Sequence, residues 1–234
     1  MQHQTPEEQG SAQRWIFFIL IAGLIAITFL YVLSRVFEYS GPSLINSPYS
    51  FETSPRQITI GERRLSVPEN VIRSADQRAA NTLKQLDLVF LWPTLEGFSR
   101  EKQVAFSDAT EASSLLFVSL SQPKELLQSS ERLFSVYSQF FTGTPIKGPA
   151  TLIGFEMDKA SGFGGETIYF KPEATEPFVA RCIASNDKEP AFCMREIALG
   201  GSLQVSYRFR PHLLNYWKSL DAALLERLNR FLLP

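Results

Sequence analysis

The stretch FVARCIASNDKEPAFCMRE, residues 178–196, has the composition of a β-hairpin. Asn186, Asp187 and Pro190 are turn formers, and the flanks are rich in Val, Ile and Phe. With the turn centred between Asp187 and Lys188, Cys182 and Cys193 are equidistant from that centre and face each other across the ladder. Directly opposed residues approach to about 4.5 or 5.5 Å between Cα atoms, which a disulfide accepts. The other reading is two buried thiols, since free cysteine packs as a small hydrophobe. A metal site is disfavoured, because His212 is the only histidine outside the N-terminal tail. The same register creates a conflict: it puts Arg195 on one face with Phe178, Cys182 and Ile197, which calls for a bulge or an incompletely covered face.

Working outward, further β-type runs fall around 150–157, 166–171, 203–209 and the second arm of the hairpin, 192–199. Upstream, RQITIGERRLSVP (56–68) reads as a tight hairpin about Gly61 and Glu62. LDLVFLWP (86–93) is apolar almost throughout, as in a strand buried on both faces, and SLLFVSLS (114–121) is another strand. Helices are expected from Pro68 to about Lys84, from Pro123 to Gly143 and from Pro211 to about Phe231; the second runs from Pro to Gly. Leu126, Leu133, Tyr137 and Phe140 form the apolar side of the second. Leu213, Trp217, Leu220, Leu224, Leu228 and Phe231 form a stripe on the third that is read as burying against the protein's own sheet. Strands bunched by short turns, with helices before and after, predict an α+β domain on a mainly antiparallel sheet with two or three packed helices.

At the other end of the chain, WIFFILIAGLIAITFLYVL (15–33) runs for 19 residues without a charge or a proline. At 1.5 Å per residue it reaches about 28 Å, close to the hydrocarbon thickness of a bilayer. No small-residue cleavage site follows, which separates it from a secretory signal peptide. A retained transmembrane helix over 15–37 is therefore expected. Residues 1–14 are expected to be a disordered cytoplasmic tail and the Ser/Pro-rich 38–55 a tether, leaving 56–234 as the folded extracytoplasmic domain. Arg14 and Arg35 flank the apolar run evenly, so charge does not orient it. Orientation rests on the cysteines: a disulfide belongs in an oxidising compartment, which for a bacterial protein is the periplasm.

In overall layout the chain resembles single-pass, membrane-anchored bacterial proteins, alphaproteobacterial in style, with a small periplasmic domain. The apolar anchor, the Ser/Pro tether and the pair Cys182/Cys193 carry that resemblance, which is one of layout and transfers no functional residue.

Chemistry is sparse. The formal charge is −1, and beyond Phe37 there are 21 basic and 22 acidic residues, so no basic field exists to hold a nucleic acid. His212 lacks a nucleophile at recognisable spacing, there is no G-x-S-x-G elbow, and SGFGGE (161–166) is a glycine turn without the Lys-Ser of a P-loop. No catalytic, cofactor-binding or metal-binding residue is assigned. Asp87 or Glu96 with Asp108 or Glu111 could form a carboxylate pair only if the fold brought them together. The basic clusters Arg63-Arg64 and Arg208-Phe209-Arg210 are the candidate interaction surface, for anionic lipid or an acidic partner. The leading expectation is a membrane-anchored periplasmic accessory or scaffold protein, non-enzymatic, acting through protein contacts. The alternatives are a ligand-binding or sensing domain that signals through a partner, and a carboxylate-dependent envelope enzyme.

Overall fold

The computed structural model describes residues 7–39, 49–172 and 177–234, with side chains over 15–31 in the first of these. The chain divides into two units, Met1–Ser47 and Pro48–Pro234.

The first unit holds one helix, α1 (Glu7–Tyr39). It begins inside the polar stretch expected to be disordered. Glu, Gln and Ala at 7–14 are good helix formers, and extending an existing helix costs far less than nucleating one. Residues 1–6 of the expected tail and 40–48 of the expected tether lie outside the described residues. Residues 15–31 are all exposed, the large apolar side chains from 39% at Ile21 to 71% at Trp15. Among the described residues no helix is both long and apolar enough to cross a membrane.

The second unit is an α+β domain. Its strands are β1 (Pro55–Ile60), β2 (Arg63–Pro68), β3 (Thr82–Leu83), β4 (Gln85–Leu91), β5 (Leu115–Ser121), β6 (Phe141–Lys147), β7 (Ile153–Met157), β8 (Glu166–Phe170), β9 (Val179–Ile183), β10 (Phe192–Leu199) and β11 (Leu203–Phe209). Its helices are α2 (Ala75–Ala79), α3 (Gln103–Phe106), α4 (Ser129–Ser135) and α5 (Trp217–Asn229). Eight strands make one antiparallel sheet in the order β4-β5-β11-β10-β9-β8-β7-β6, and β2-β1-β3 make a small one. The hairpin about Gly61 forms as read, with Ile60 opposite Arg63. Gly61 has φ +57°, and the Gln122 side chain, which accepts from the Glu62 N–H at 2.9 Å, fills the space a Cβ would need.

The β9–β10 register puts Cys182 opposite Cys193, their Cα atoms 3.9 Å apart, and the two are joined by a disulfide inside the core. The conflict at Arg195 is resolved neither by a bulge nor by exposure. Its guanidinium is buried against α5, where Nε and Nη2 donate to the two oxygens of Asp221 at 3.0 and 3.2 Å. Nη1 donates to the Val179 carbonyl at 3.3 Å, and the Phe178 ring lies 4.6 Å from the guanidinium carbon. Tyr207, fully buried on β11, donates its hydroxyl to Asp221 at 2.6 Å. Desolvation first, and then the Asp221 charge, push that phenol well above its ordinary pKa.

Around this pair the main core gathers one face of the large sheet, the small sheet and the stripe of α5. Leu213, Leu220, Leu224, Leu228 and Phe231 are buried as expected, and Trp217 packs on Phe178 with centroids 4.8 Å apart. The chain after α5 then joins β2 through Ser66 N–H to Phe231 O (2.8 Å) and Leu233 N–H to Arg64 O (2.9 Å).

Two expected helices are far shorter than read. From Pro68 only a 3-10 turn, Glu69–Val71, forms before Ile72 turns extended and Arg73 N–H bonds Asp87 O on the β4 edge at 2.9 Å. Pairing with that edge buries Val71 and Ile72 without a helix, and α2 is a separate five-residue turn. In 123–143, helix is confined to α4, where the Glu131 carboxylate caps the Gln128 N–H at 2.8 Å. A 3-10 turn, Tyr137–Phe140, follows, and Phe141 enters β6 opposite Met157. The last helix opens with a 3-10 segment, Pro211–Tyr216, before α5. Both free sheet edges are blunted: β6 carries Pro145 and an irregular register, and β4 is covered by Ile72. The expected boundary at 56 also moves, because Tyr49 and Phe51 pack on Phe98 at 5.1 and 4.9 Å.

Arg195→Ala is expected to lower stability by about 3 kcal/mol, because it leaves the half-buried Asp221 carboxylate without its cation. Arg195→Met with Asp221→Leu and Tyr207→Phe, which leaves no buried hydroxyl without its acceptor, recovers most of that loss; urea unfolding of the three proteins measures both effects. The Cys182→Ser/Cys193→Ser variant is expected to lose roughly 3 kcal/mol by the same measurement, from the freed loop.

Candidate functional site

With one face of the large sheet closed by α5, the chemistry that remains accessible lies on the other. Alternation along the strands puts Asp87 and Val89 of β4, Phe117 and Ser119 of β5, Ser206 and Arg208 of β11, and Phe192 and Met194 of β10 on this second face. It is covered at two places. Tyr49, Phe98 and Phe106 close over Val89 and Leu115, while Leu133 and Tyr137 close over Met157, Ile168 and Val179. At the second place α4 also finishes the β10 ladder, with Ser129 Oγ accepting from Glu196 N–H at 2.8 Å and Gln128 Oε1 from Ala198 N–H at 3.2 Å.

Beside the first cover lies a cleft of about 280 Å³, lined by Phe106, Leu115, Phe117, Phe192, Arg208 and Arg210, and by Asp108 and Glu189. Its two arginines are used differently. Arg210 donates to the carbonyls of Pro190 (3.2 Å), Ala191 (3.0 Å) and Ala109 (3.0 Å), tying the β9–β10 turn to the segment after α3. Glu111 reinforces the tie by accepting from Ala191 N–H at 2.8 Å. Arg208 is exposed, and its guanidinium lies 5.0 Å from the Phe192 centroid and 6.0 Å from that of Phe117. On the other side of Phe117 stands a second exposed guanidinium, Arg73, at 5.1 Å. The result is a row of alternating cation and ring: Arg73, Phe117, Arg208, Phe192. Among the described residues neither Arg73 nor Arg208 makes an ion pair, whereas Arg181 is held by Glu166 (2.5 and 2.6 Å) and Arg132 by Glu196 (2.9 Å).

Arg63 and Arg64 are not part of this row. Arg63 donates to Ser202 Oγ (2.8 Å) and Gly200 O (2.6 Å), and Arg64 to Pro234 O (2.9 Å). Both therefore anchor the small sheet, at the end of β11 away from Arg208. The candidate surface read as four arginines is divided between two places.

The candidate carboxylates are separated too, each with its own partners. Asp87 accepts from Ser119 Oγ (2.5 Å), Gln85 (2.8 Å) and Gln77 (2.9 Å); burial raises its pKa, but these bonds outweigh it and hold the carboxyl below its usual range. Glu96 pairs with Lys102, and Asp108 accepts from Thr110 N–H (2.9 Å) and hydroxyl (2.7 Å). His212 is exposed, its Nδ1 against Glu111 O at 3.1 Å. Among the described residues no group of three or more metal-ligating side chains assembles.

Sequence reading missed Arg73, Phe117 and Phe192. Phe117 does share a period-two face with Ser119 and Ser121, an apolar residue on a polar face, and that was the available signal. Arg73 fell in a stretch read as helix, which hid its place beside β4.

No protein-family model and no curated protein matches the chain. Two solved structures superpose on the chain, the first of them with a likeness in fold. An immunity protein of the Stenotrophomonas maltophilia type IV secretion system superposes with a TM-score of 0.55 at 13% identity, over 81% of this chain and 97% of that one. The Neisseria meningitidis iron-regulated outer membrane lipoprotein FrpD gives a TM-score of 0.47 at 10% identity, over 78% and 98% of the two chains.

Proposed function

We propose that this is a membrane-anchored periplasmic accessory protein that works through protein–protein contact and carries out no chemistry of its own. The observation that carries this reading is the row Arg73–Phe117–Arg208–Phe192. Its arginines are exposed and its rings half-buried, it is built from residue types enriched in interface cores, and it sits on a sheet face whose neighbouring carboxylates are each held by their own partners. Catalysis by acid and base requires two groups within reach of one substrate, and the candidate acids Asp87, Glu96, Asp108 and Glu111 are engaged separately. The likeness in fold to an immunity protein of a secretion system supports this reading.

The anchor belongs to the same proposal. The apolar run continues through Val32 and Leu33, beyond the residues with described side chains, and reaches bilayer length. Over 15–31 it exposes its rings and aliphatic chains, and its aliphatic hydroxyl, Thr28, bonds back to Leu24 O at 2.8 Å. A polar group satisfied within its own helix is what lipid demands. The buried disulfide supports placing the domain on the oxidising side.

Two measurements test this reading. The full chain is expected to stay in the membrane pellet after alkaline carbonate extraction, and a chain lacking 15–33 to leave it. Affinity capture of the full chain from its native membranes in mild detergent is expected to recover a stoichiometric protein partner; recovery of the bait alone overturns the accessory role.

A further inference from the structure

Resting on that reading, we propose that the Arg73–Phe117–Arg208–Phe192 row is the docking strip for an acidic, extended segment of the partner protein, its carboxylates seated on Arg73 and Arg208. The charge pattern on this face points to that occupant. Arg181 and Arg132 have carboxylates of their own, and Arg210 is consumed by three backbone carbonyls. Among the described residues Arg73 and Arg208 form no ion pair and rest against the rings of Phe117 and Phe192; a third exposed arginine, Arg100, lies 5.1 Å from the Phe51 ring. A guanidinium laid against a ring keeps its planar N–H edge free, and an Arg edge matches a carboxylate with two parallel bonds. The ring beneath it also limits the rotamer entropy lost when that pair forms.

The acids nearby do not fill this role. Asp87 lies close enough to Arg73 to be influenced by it, but its oxygens are taken by Ser119, Gln85 and Gln77. Asp108 is bonded to Thr110 and feels Arg210. Glu189 lines the cleft on the exposed turn before β10 without pairing to Arg208, so it favours a segment whose acidic residues are spaced to the two arginines over a uniformly negative one.

The spacing fits an extended chain. The two guanidinium carbons lie 5.1 and 6.0 Å from one ring, that of Phe117. Carboxylates two residues apart on an extended strand, about 7 Å along the chain, point the same way and reach both sides of such a ring. A nucleic acid or sulfated polymer is disfavoured because the domain's charge is nearly balanced, so two isolated cations meet no surrounding positive field.

The test uses the full chain in detergent micelles and two fluorescent peptides, acetyl-Glu-Thr-Glu-Thr-Glu-amide and its Lys counterpart, read by anisotropy at low and at physiological salt. The Glu peptide is expected to bind, and the Lys peptide at least tenfold more weakly. Arg73→Glu/Arg208→Glu is expected to lose the Glu peptide by tenfold or more and to gain the Lys peptide, with an unchanged melting temperature. If that variant melts early, Arg73→Gln and Arg208→Gln singly, each losing severalfold, carry the same result. Absence of Glu-peptide binding at millimolar concentration, equal binding by wild type and charge-reversed chains, or binding of heparin or anionic vesicles in place of the Glu peptide each overturns the strip. A partner captured from native membranes that still binds the charge-reversed chain overturns the strip while leaving the accessory role intact.

Discussion

The rest of this domain depends on one ion pair, Arg195 of β10 against Asp221 of α5. Burying two charges costs several kcal/mol apiece, and attraction offsets the cost only when geometry is good and the remaining polar atoms are satisfied. Here Asp221 receives two guanidinium bonds and the Tyr207 hydroxyl, and Arg195 adds the Val179 carbonyl and the Phe178 ring. One carboxylate thus ties together α5, β10 and β11, while the Val179 bond brings in β9. A leucine stripe alone could slide along a sheet with little loss, because apolar burial is non-directional. Asp221 cannot slide without leaving Arg195 and Tyr207 unpaired, so the pair fixes the register of α5.

That fixed helix makes the two sheet faces unlike. The face under α5 has Arg195 as its buried charge, answered from within. The opposite face is roofed only by short pieces, α3 with Tyr49 and Phe98 at one end and α4 with Tyr137 at the other. Short helices cover little area, and the strip between them is left to polar side chains and to Phe117, Phe192 and Arg208. The disulfide serves the first face. Cys182 and Cys193 clamp the hairpin that carries both Phe178 and Arg195, so the constraint acts where the ion pair needs its strands held.

How much of this was legible in the sequence follows from the range of the interactions. The hairpins about Gly61 and Asp187 are local, set by turn chemistry and period-two patterning, and they could be read directly. The strands 86–93 and 114–121 were legible for the same reason. Their insertion beside β11, from the other end of the chain, was not. Arg195 was visible as a misfit, an arginine on an apolar face, but its partner lies 26 residues away on a helix. The helices failed where a sheet edge competed. Pro68 and the apolar Val71 and Ile72 suit a helix start, yet pairing with β4 buries the same side chains and satisfies Arg73 N–H as well. The candidate site was half legible. Arg208 and Arg210 were picked out by alternation, but only the fold separates the arginine that holds backbone from the one that holds nothing.

That separation is the stronger ground for reading function from this fold. Arginines are common on surfaces, and a count of them says little. What distinguishes this chain is how its arginines are spent. Arg56 binds the Arg78 carbonyl at 2.7 Å, Arg63 the β10–β11 turn, Arg64 the chain end, and Arg210 three carbonyls. Such cations are part of the scaffold, and their charge is already answered. Arg73 and Arg208 reach the same half-buried ring from two different segments, one from the β4 edge and one from the sheet centre. Two like charges gathered at one ring repel each other modestly in water and gain weak contacts with the ring and, for Arg73, an electrostatic interaction with Asp87. Folding alone gives little reason to place them together. A ligand of opposite charge does, because it turns their repulsion into attraction at both ends of the ring.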